Sequence, residues 1–155
     1  MLNAVNLSGI EVLRAMSQGQ YPGPTISQII PMSVVALEPG CITFSARADG
    51  RHLNPMGGVH GGFASTVLDS ATACAVHSLL DAGVGYTTID LAIKMLRPVP
   101  MNEELFATGT VIHLSSRLGV SEGTLKDSQG TLLAHATASC MIFRPKPQTP
   151  ETGDD

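Results

Sequence analysis

The stretch HLNPMGGVHGGFASTVLDSATACAVHSLL, residues His52–Leu80, decides the fold. A loop rich in glycine and holding Pro55 runs into a segment that contains neither glycine nor proline from Phe63 to Leu80. Ala64, Leu68, Ala71, Ala75 and Leu79 recur in that segment at helical spacing, as do Phe63, Val67 and Cys74. Apolar side chains cover most of the circumference, so the spacing predicts a long helix buried on most sides, with Gly83 of DAGVG as its C-terminal cap. One carboxylate, Asp69, stands among these alanines and leucines. A buried, unpaired carboxylate is costly to keep charged, so Asp69 needs either a structural partner or a chemical role.

Outward from the helix the pattern turns to strands. Residues about 26–37 and 41–48 read as a pair joined by the turn EPG, and Ile42, Phe44, Ala46 and Ala48 alternate with Thr43, Ser45 and Arg47. Beyond the helix, YTTIDLAIKMLRP places Ile89, Leu91, Ile93 and Met95 in alternation with polar positions. ELFATGTVIHL, LGVSEGTLKD and TLLAHATASCMIF follow, with DSQG as the turn between the last two. Residues about 4–17 form an amphipathic helix, which YPGP ends. The order helix, two strands, long helix, four strands predicts an α+β fold, an antiparallel sheet wrapped around the central helix. The expected organisation is an N-terminal arm over 1–24, one domain over 25–143 and a proline-rich polar tail over 144–155.

Composition narrows the function. The chain has 155 residues, 43% of them hydrophobic and only 14% charged, against about a quarter charged in ordinary soluble domains. Its mean hydropathy is +0.20. A surface partly buried in an oligomer explains the shortage of charge. No apolar run approaches the roughly 20 residues that cross a bilayer, and the first residues lack a basic start followed by an apolar block. Net charge is −4, there is no basic cluster and no tryptophan, which argues against a nucleic-acid partner. Cys41, Cys74 and Cys140 are odd in number and match no zinc spacing. Their apolar surroundings fit a reducing cytoplasm. The five histidines show no HxH or HExxH spacing, so no metal is expected.

The start of the helix can carry chemistry. A helix N-terminus offers unpaired N–H groups and the positive end of the helix dipole, and glycine lets a ligand approach the backbone. Such a site stabilises a carbonyl oxygen becoming an oxyanion. Gly61 and Asp69 are eight residues apart, within roughly 80° of each other around the helix axis, so a substrate lying along the helix would meet both. Ser65, Thr66 and Thr72 flank Asp69 as a polar strip. Taken singly, His60 reads equally as a helix cap, and Asn54 as a turn former.

Together these residues resemble a family. NPMGGVHGGFASTVLD is similar to the hotdog-fold acyl-CoA thioesterases of the PaaI-like (phenylacetate-degradation) and Them2-like type, whose pattern is an asparagine, a short loop, HGG and an acid nine residues after the histidine. Asn54, His60, Gly61, Gly62 and Asp69 fall in that register. YTTIDLAIKMLRPV and DSQGTLLAHATASCMIF extend the likeness, which covers residues 25 to 143. Met95-Leu96 stands where an aromatic is common, and Val59 where leucine is common.

The resemblance implies a dimer with two sites at its interface, paired into a dimer of dimers. It implies that the Gly61 amide polarises the thioester carbonyl, and that Asp69 of the other subunit is general base or nucleophile. Asn54 and His60 would orient the water or hold the loop, and Thr88 would help hold the water. Gly62 and Ser65 would line the substrate, and Lys94, Arg97, Arg117 and Arg144 are the candidates for the CoA phosphates. No cofactor is implied, because coenzyme A is part of the substrate. The acyl group is aryl or medium-chain, and Met32, Met56, Met95, Met101 and Met141 read as pocket lining or core filler. A non-catalytic acyl-CoA binder or sensor on the same fold stands as the alternative. A hotdog dehydratase ranks behind both, since no second acid precedes the helix.

Overall fold

Period-two alternation puts one face of each strand on a helix, and the glycines in those strands set how closely the helix can lie. In the computed structural model, which describes residues 6–144, the chain runs α1 (Gly9–Ser17), β1 (Met32–Glu38), β2 (Cys41–Ala46), α2 (Gly61–His77), β3 (Gly85–Met95), β4 (Leu105–Leu114), β5 (Leu118–Asp127) and β6 (Leu132–Phe143). The six strands form one antiparallel sheet in the order β1-β2-β4-β5-β6-β3. It curls around α2, which packs against β2, β3, β4, β5 and β6, while α1 lies against β1 and α2. This is the α+β architecture that the pattern of elements implied, and the hotdog fold that the resemblance implied. Among the described residues no helix is long and apolar enough to cross a membrane.

The core forms where α2 meets the inner sheet face. Phe63, Ala64, Val67, Leu68, Ala71 and Ala75 of α2 pack with Ile42, Phe44, Leu105, Ala107, Leu125, Leu133, Ala134 and Ala136 of the strands. The close approach needs strand positions without a side chain. A Cβ on Gly109 of β4 would run into the backbone carbonyl of Ala71, and one on Gly123 of β5 would lie 2.8 Å from Thr72 Cγ2. Backbone cannot yield as a side-chain end does, so Gly109→Ala is expected to lower stability by about 2–3 kcal/mol, read from the denaturant midpoint at unchanged m-value.

Three sequence expectations change in the structure. The first strand does not begin near residue 26. Thr25–Gln28 is a 3-10 turn that follows Pro24, Ile26 and Ile29 are exposed, and β1 starts only after Pro31. Proline lacks the N–H that a strand ladder needs, and it outweighs the apolar run before it. The central helix ends at His77 rather than near Gly83. Ser78 caps it, its hydroxyl donating to the Ala75 carbonyl and accepting from the Gly40 N–H; Gly83 serves the turn beyond, at φ +77°. The N-terminal helix starts at Gly9 rather than near residue 4. Residues 1–5 and the expected tail from 145 onward lie outside the described residues.

Candidate active site

His60 begins α2 with extended backbone, and its Nδ1 accepts the Gly62 N–H at 2.8 Å. Phe63 N–H goes to the His60 carbonyl. Among the described residues this leaves the Gly61 N–H without a partner, at the positive end of a 17-residue helix. Gly61 is exposed and borders an open groove lined by Val59, Met95, Leu96, Arg97, Pro98 and Val99. Gly62 must lack a side chain, since a Cβ there would sit 2.9 Å from the capping His60 nitrogen. His60→Ala removes the cap and is expected to cost about 1 kcal/mol, a melting shift of a few degrees.

The loop before the helix is held by Asn54. Its Oδ1 accepts from Met56 N–H at 2.9 Å and Gly58 N–H at 3.2 Å, and its own N–H donates to the Gly58 carbonyl. Gly57, at φ +85°, lets the chain turn there. A bridge between Leu53 and Val59 closes the loop and delivers His60 to the helix start. The Asn54 oxygen is thus occupied by the loop, and its amide NH2 remains for other contacts.

Asp69 is half-buried. Thr88 Oγ1 of β3 donates to Asp69 Oδ1 at 3.0 Å, so one carboxylate oxygen is fixed and the other has no partner among the described residues. The Thr88 hydroxyl also lies 4.0 Å from Cys140 Sγ. Gly61 and Asp69 are separated by eight residues, about 12 Å along the axis. That spacing is far longer than one carbonyl, so within one chain the two groups meet different parts of a substrate lying along the helix. Thr72 also leaves the predicted polar strip: it is fully buried under Gly123, and its hydroxyl donates to the Leu68 carbonyl. Ser65 and Thr66 stay on the strip, each hydroxyl donating one turn back to Gly61 and Gly62 carbonyls.

The basic residues divide. Arg97 lines the groove beside Gly61, braced by a bond from Nη1 to the Leu132 carbonyl at 2.8 Å. Lys94 is exposed and alternates with the core-packed Ile93, so it stands on the outer sheet face. Arg117 and Arg144 sit at the far end of β6, the Arg117 backbone carbonyl accepting the Ile142 N–H and the Arg144 guanidinium pairing with Asp81 at 3.5 Å. Some ten residues of strand, about 33 Å, separate them from Arg97.

A cavity of about 380 Å³ lies beyond Asp69, under α1. Ser70, Cys74 and His77 of α2 and Tyr86 of β3 face it, and His77 stacks on Tyr86 at 4.8 Å between ring centroids. Burial pushes the Cys74 thiol up to about 12 and holds the His77 imidazole below its usual value, toward the neutral ring. The sequence reading missed these residues. The spacing of Ser70, Cys74 and His77, one stripe at i, i+4 and i+7, was the available signal.

The profile of the thioesterase superfamily matches residues 56–134, just over half the chain, and the match contains Gly61, Asp69 and Thr88. The chain belongs to the thioesterase superfamily. Thioester hydrolysis is the activity class for which that family is named. A candidate esterase from Halobacterium salinarum is 35% identical over 96 residues, covering 57% of this chain and 62% of that protein, less than two thirds of its length. Human acyl-coenzyme A thioesterase 13 is 23% identical over 80% of this chain and 86% of its own. Among solved structures, a phenylacetic acid degradation-related protein from Ralstonia eutropha superposes with a TM-score of 0.77 at 28% identity, covering 84% of this chain and 98% of that one.

Proposed function

We propose that this chain dimerises through β3 and hydrolyses an acyl-CoA thioester at two equivalent interfacial sites, with Asp69 of one copy facing Gly61 of the other. The carrying observation is that the two groups stand at opposite ends of one strand. Asp69 is bonded to Thr88 near the start of β3, and Gly61 packs 3.4 Å from the Met95 Cε at its end, measured from where a Cβ would be. β3 is an edge strand of 11 residues with exposed Ile89 and Met95. Such an edge is a template for pairing. A copy related by a two-fold axis between Leu91 and Ala92 sets Thr88 opposite Met95, and so Asp69 opposite Gly61. The symmetry of a two-fold interface makes both sites alike.

In this arrangement the Gly61 N–H donates to the thioester oxygen and stabilises the developing oxyanion. Asp69 takes a proton from water as the water oxygen bonds to the carbonyl carbon. The C–S bond then breaks, and the sulfur of CoA leaves with that proton. Thr88 holds Asp69 in one rotamer, which leaves the second oxygen toward the water. Asn54 and His60 hold the loop, and Gly62 and Ser65 border the substrate. Arg97, beside the Gly61 groove, is better placed for a CoA phosphate than Lys94 or Arg117. Exposed Ile112, Met141 and Phe143 supply a surface on which dimers pair. The three free cysteines suit a reducing cytoplasm.

The test is thiol release from aryl- and alkyl-CoA thioesters, with sedimentation to count subunits. Turnover by a dimer or tetramer supports the reading. A monomer with full activity removes the interfacial site, and tight acyl-CoA binding without turnover favours a sensor.

A further inference from the structure

The cavity under α1 has no part in the proposed chemistry, yet Ser70, the residue next to Asp69, lines it. The sheet encloses α2 on all sides but one. The open stripe runs Thr66, Asp69, Ser70, Cys74, His77. On β3, Tyr86 is two residues before Thr88 and so shares its face, about 7 Å along the strand. The Asp69–Thr88 pair and the Cys74–Tyr86–His77 cluster are therefore neighbours along α2 and β3. α1 and the 3-10 turn cover the cavity with Leu13, Met16 and Pro24, and Met32, Val34 and Phe44 form its other apolar wall.

Resting on the thioesterase reading, we propose that this cavity receives the acyl group, that α1 supplies its length-setting wall through Met16, and that the substrate is an uncharged medium-chain acyl thioester. An apolar cavity of about 150 Å³ takes a six-carbon ring, so one of about 380 Å³ takes roughly ten carbons or a few more. That matches a chain of about ten carbons and leaves an acetyl or butyryl group mostly unsupported. Among the described residues the lining contains no Lys, Arg, Asp or Glu, and burial lowers the His77 imidazole from its usual value, so a terminal carboxylate on the acyl chain meets hydroxyls but no fixed cation. The thioester carbon rests at Asp69, the acyl chain runs toward Tyr86, and the CoA portion leaves in the direction of the partner's Gly61 groove.

The experiment is kcat/KM over straight-chain acyl-CoAs from two to fourteen carbons plus succinyl-CoA, for wild type, Met16→Trp and Met16→Ala. Wild-type values are expected to rise by roughly fourfold per methylene to a maximum near ten carbons, with succinyl-CoA at least tenfold below butyryl-CoA. Met16→Trp is expected to lower decanoyl-CoA turnover at least tenfold more than butyryl-CoA turnover; Met16→Ala moves the maximum to longer chains. Hydrolysis with a length profile that neither substitution moves overturns the pocket assignment and leaves the thioesterase reading standing. Absence of hydrolysis on every substrate overturns that reading instead. The pocket is then decided by calorimetry of decanoyl-CoA against free CoA: tighter binding of the acylated form, lost in Met16→Trp, supports it, and equal binding overturns it. If Met16→Trp does not fold, Met16→Ala alone decides the assignment.

Discussion

Replacing Asp69 with asparagine is expected to reduce acyl-CoA turnover by roughly 10²- to 10⁴-fold, the range for loss of a positioned general base. The fold should survive the change. Thr88 donates its hydroxyl proton to Asp69 Oδ1 at 3.0 Å, and the amide oxygen of asparagine accepts the same bond. No other side chain donates to the carboxylate among the described residues, so no charge is left behind unpaired. The measurement is thiol release under saturating and limiting substrate, beside a thermal melt. A large fall in kcat with KM and melting temperature nearly unchanged identifies Asp69 as the base. Equal activity in both proteins would make Asp69 structural, a carboxylate kept for its bond to β3. Thr88→Val should show a smaller loss, since it frees the rotamer of Asp69 without removing it.

The second large effect is expected from Gly61→Pro. Proline deletes the N–H proposed to hold the oxyanion and changes little else. It is favoured at the first position of a helix, and His60 already holds φ −65° and ψ 137°, the conformation that precedes a proline. The nearest atom to a side chain at position 61 is the flexible end of Met95, at 3.4 Å. Removing one oxyanion donor lowers kcat by about 10²- to 10³-fold. The two variants together test the interface. Each heterodimer of Asp69→Asn and Gly61→Pro chains holds one intact site, and random mixing makes half the dimers heterodimers. Mixing after subunit exchange should restore about a quarter of wild-type activity from two nearly inactive proteins. No recovery, with exchange demonstrated, would place Asp69 and Gly61 of the same chain in one site.

What was legible in the sequence was what local patterning and a resemblance can carry. The glycine-free run after VHGG marked α2 because apolar residues at helical spacing have no other way to be buried together. The alternation in CITFSA and LGVSEGTLKD marked β2 and β5 for the same reason at period two. Asp69 stood out as a charge in an apolar run, and its spacing from HGG tied it to a family. The reading failed where a local rule competed with another: Pro31 delayed β1, and Ser78 ended α2 before Gly83.

The sequence by itself determined the order of elements and the buried central helix, and through its resemblance it pointed to the family and to Gly61 and Asp69 as candidates. Only the tertiary structure decided what surrounds them. Among the described residues it left the Gly61 amide without a partner by turning His60 onto Gly62, it bonded Asp69 to Thr88, and it carried Arg97 to the groove while leaving Arg117 a strand length away. It also joined α1, α2 and β3 around a cavity whose lining spans residues 13 to 86. Periodicity reports which face of an element is buried. Which distant faces meet depends on the register of the sheet and its curl around α2, and those arise from contacts far apart in the chain.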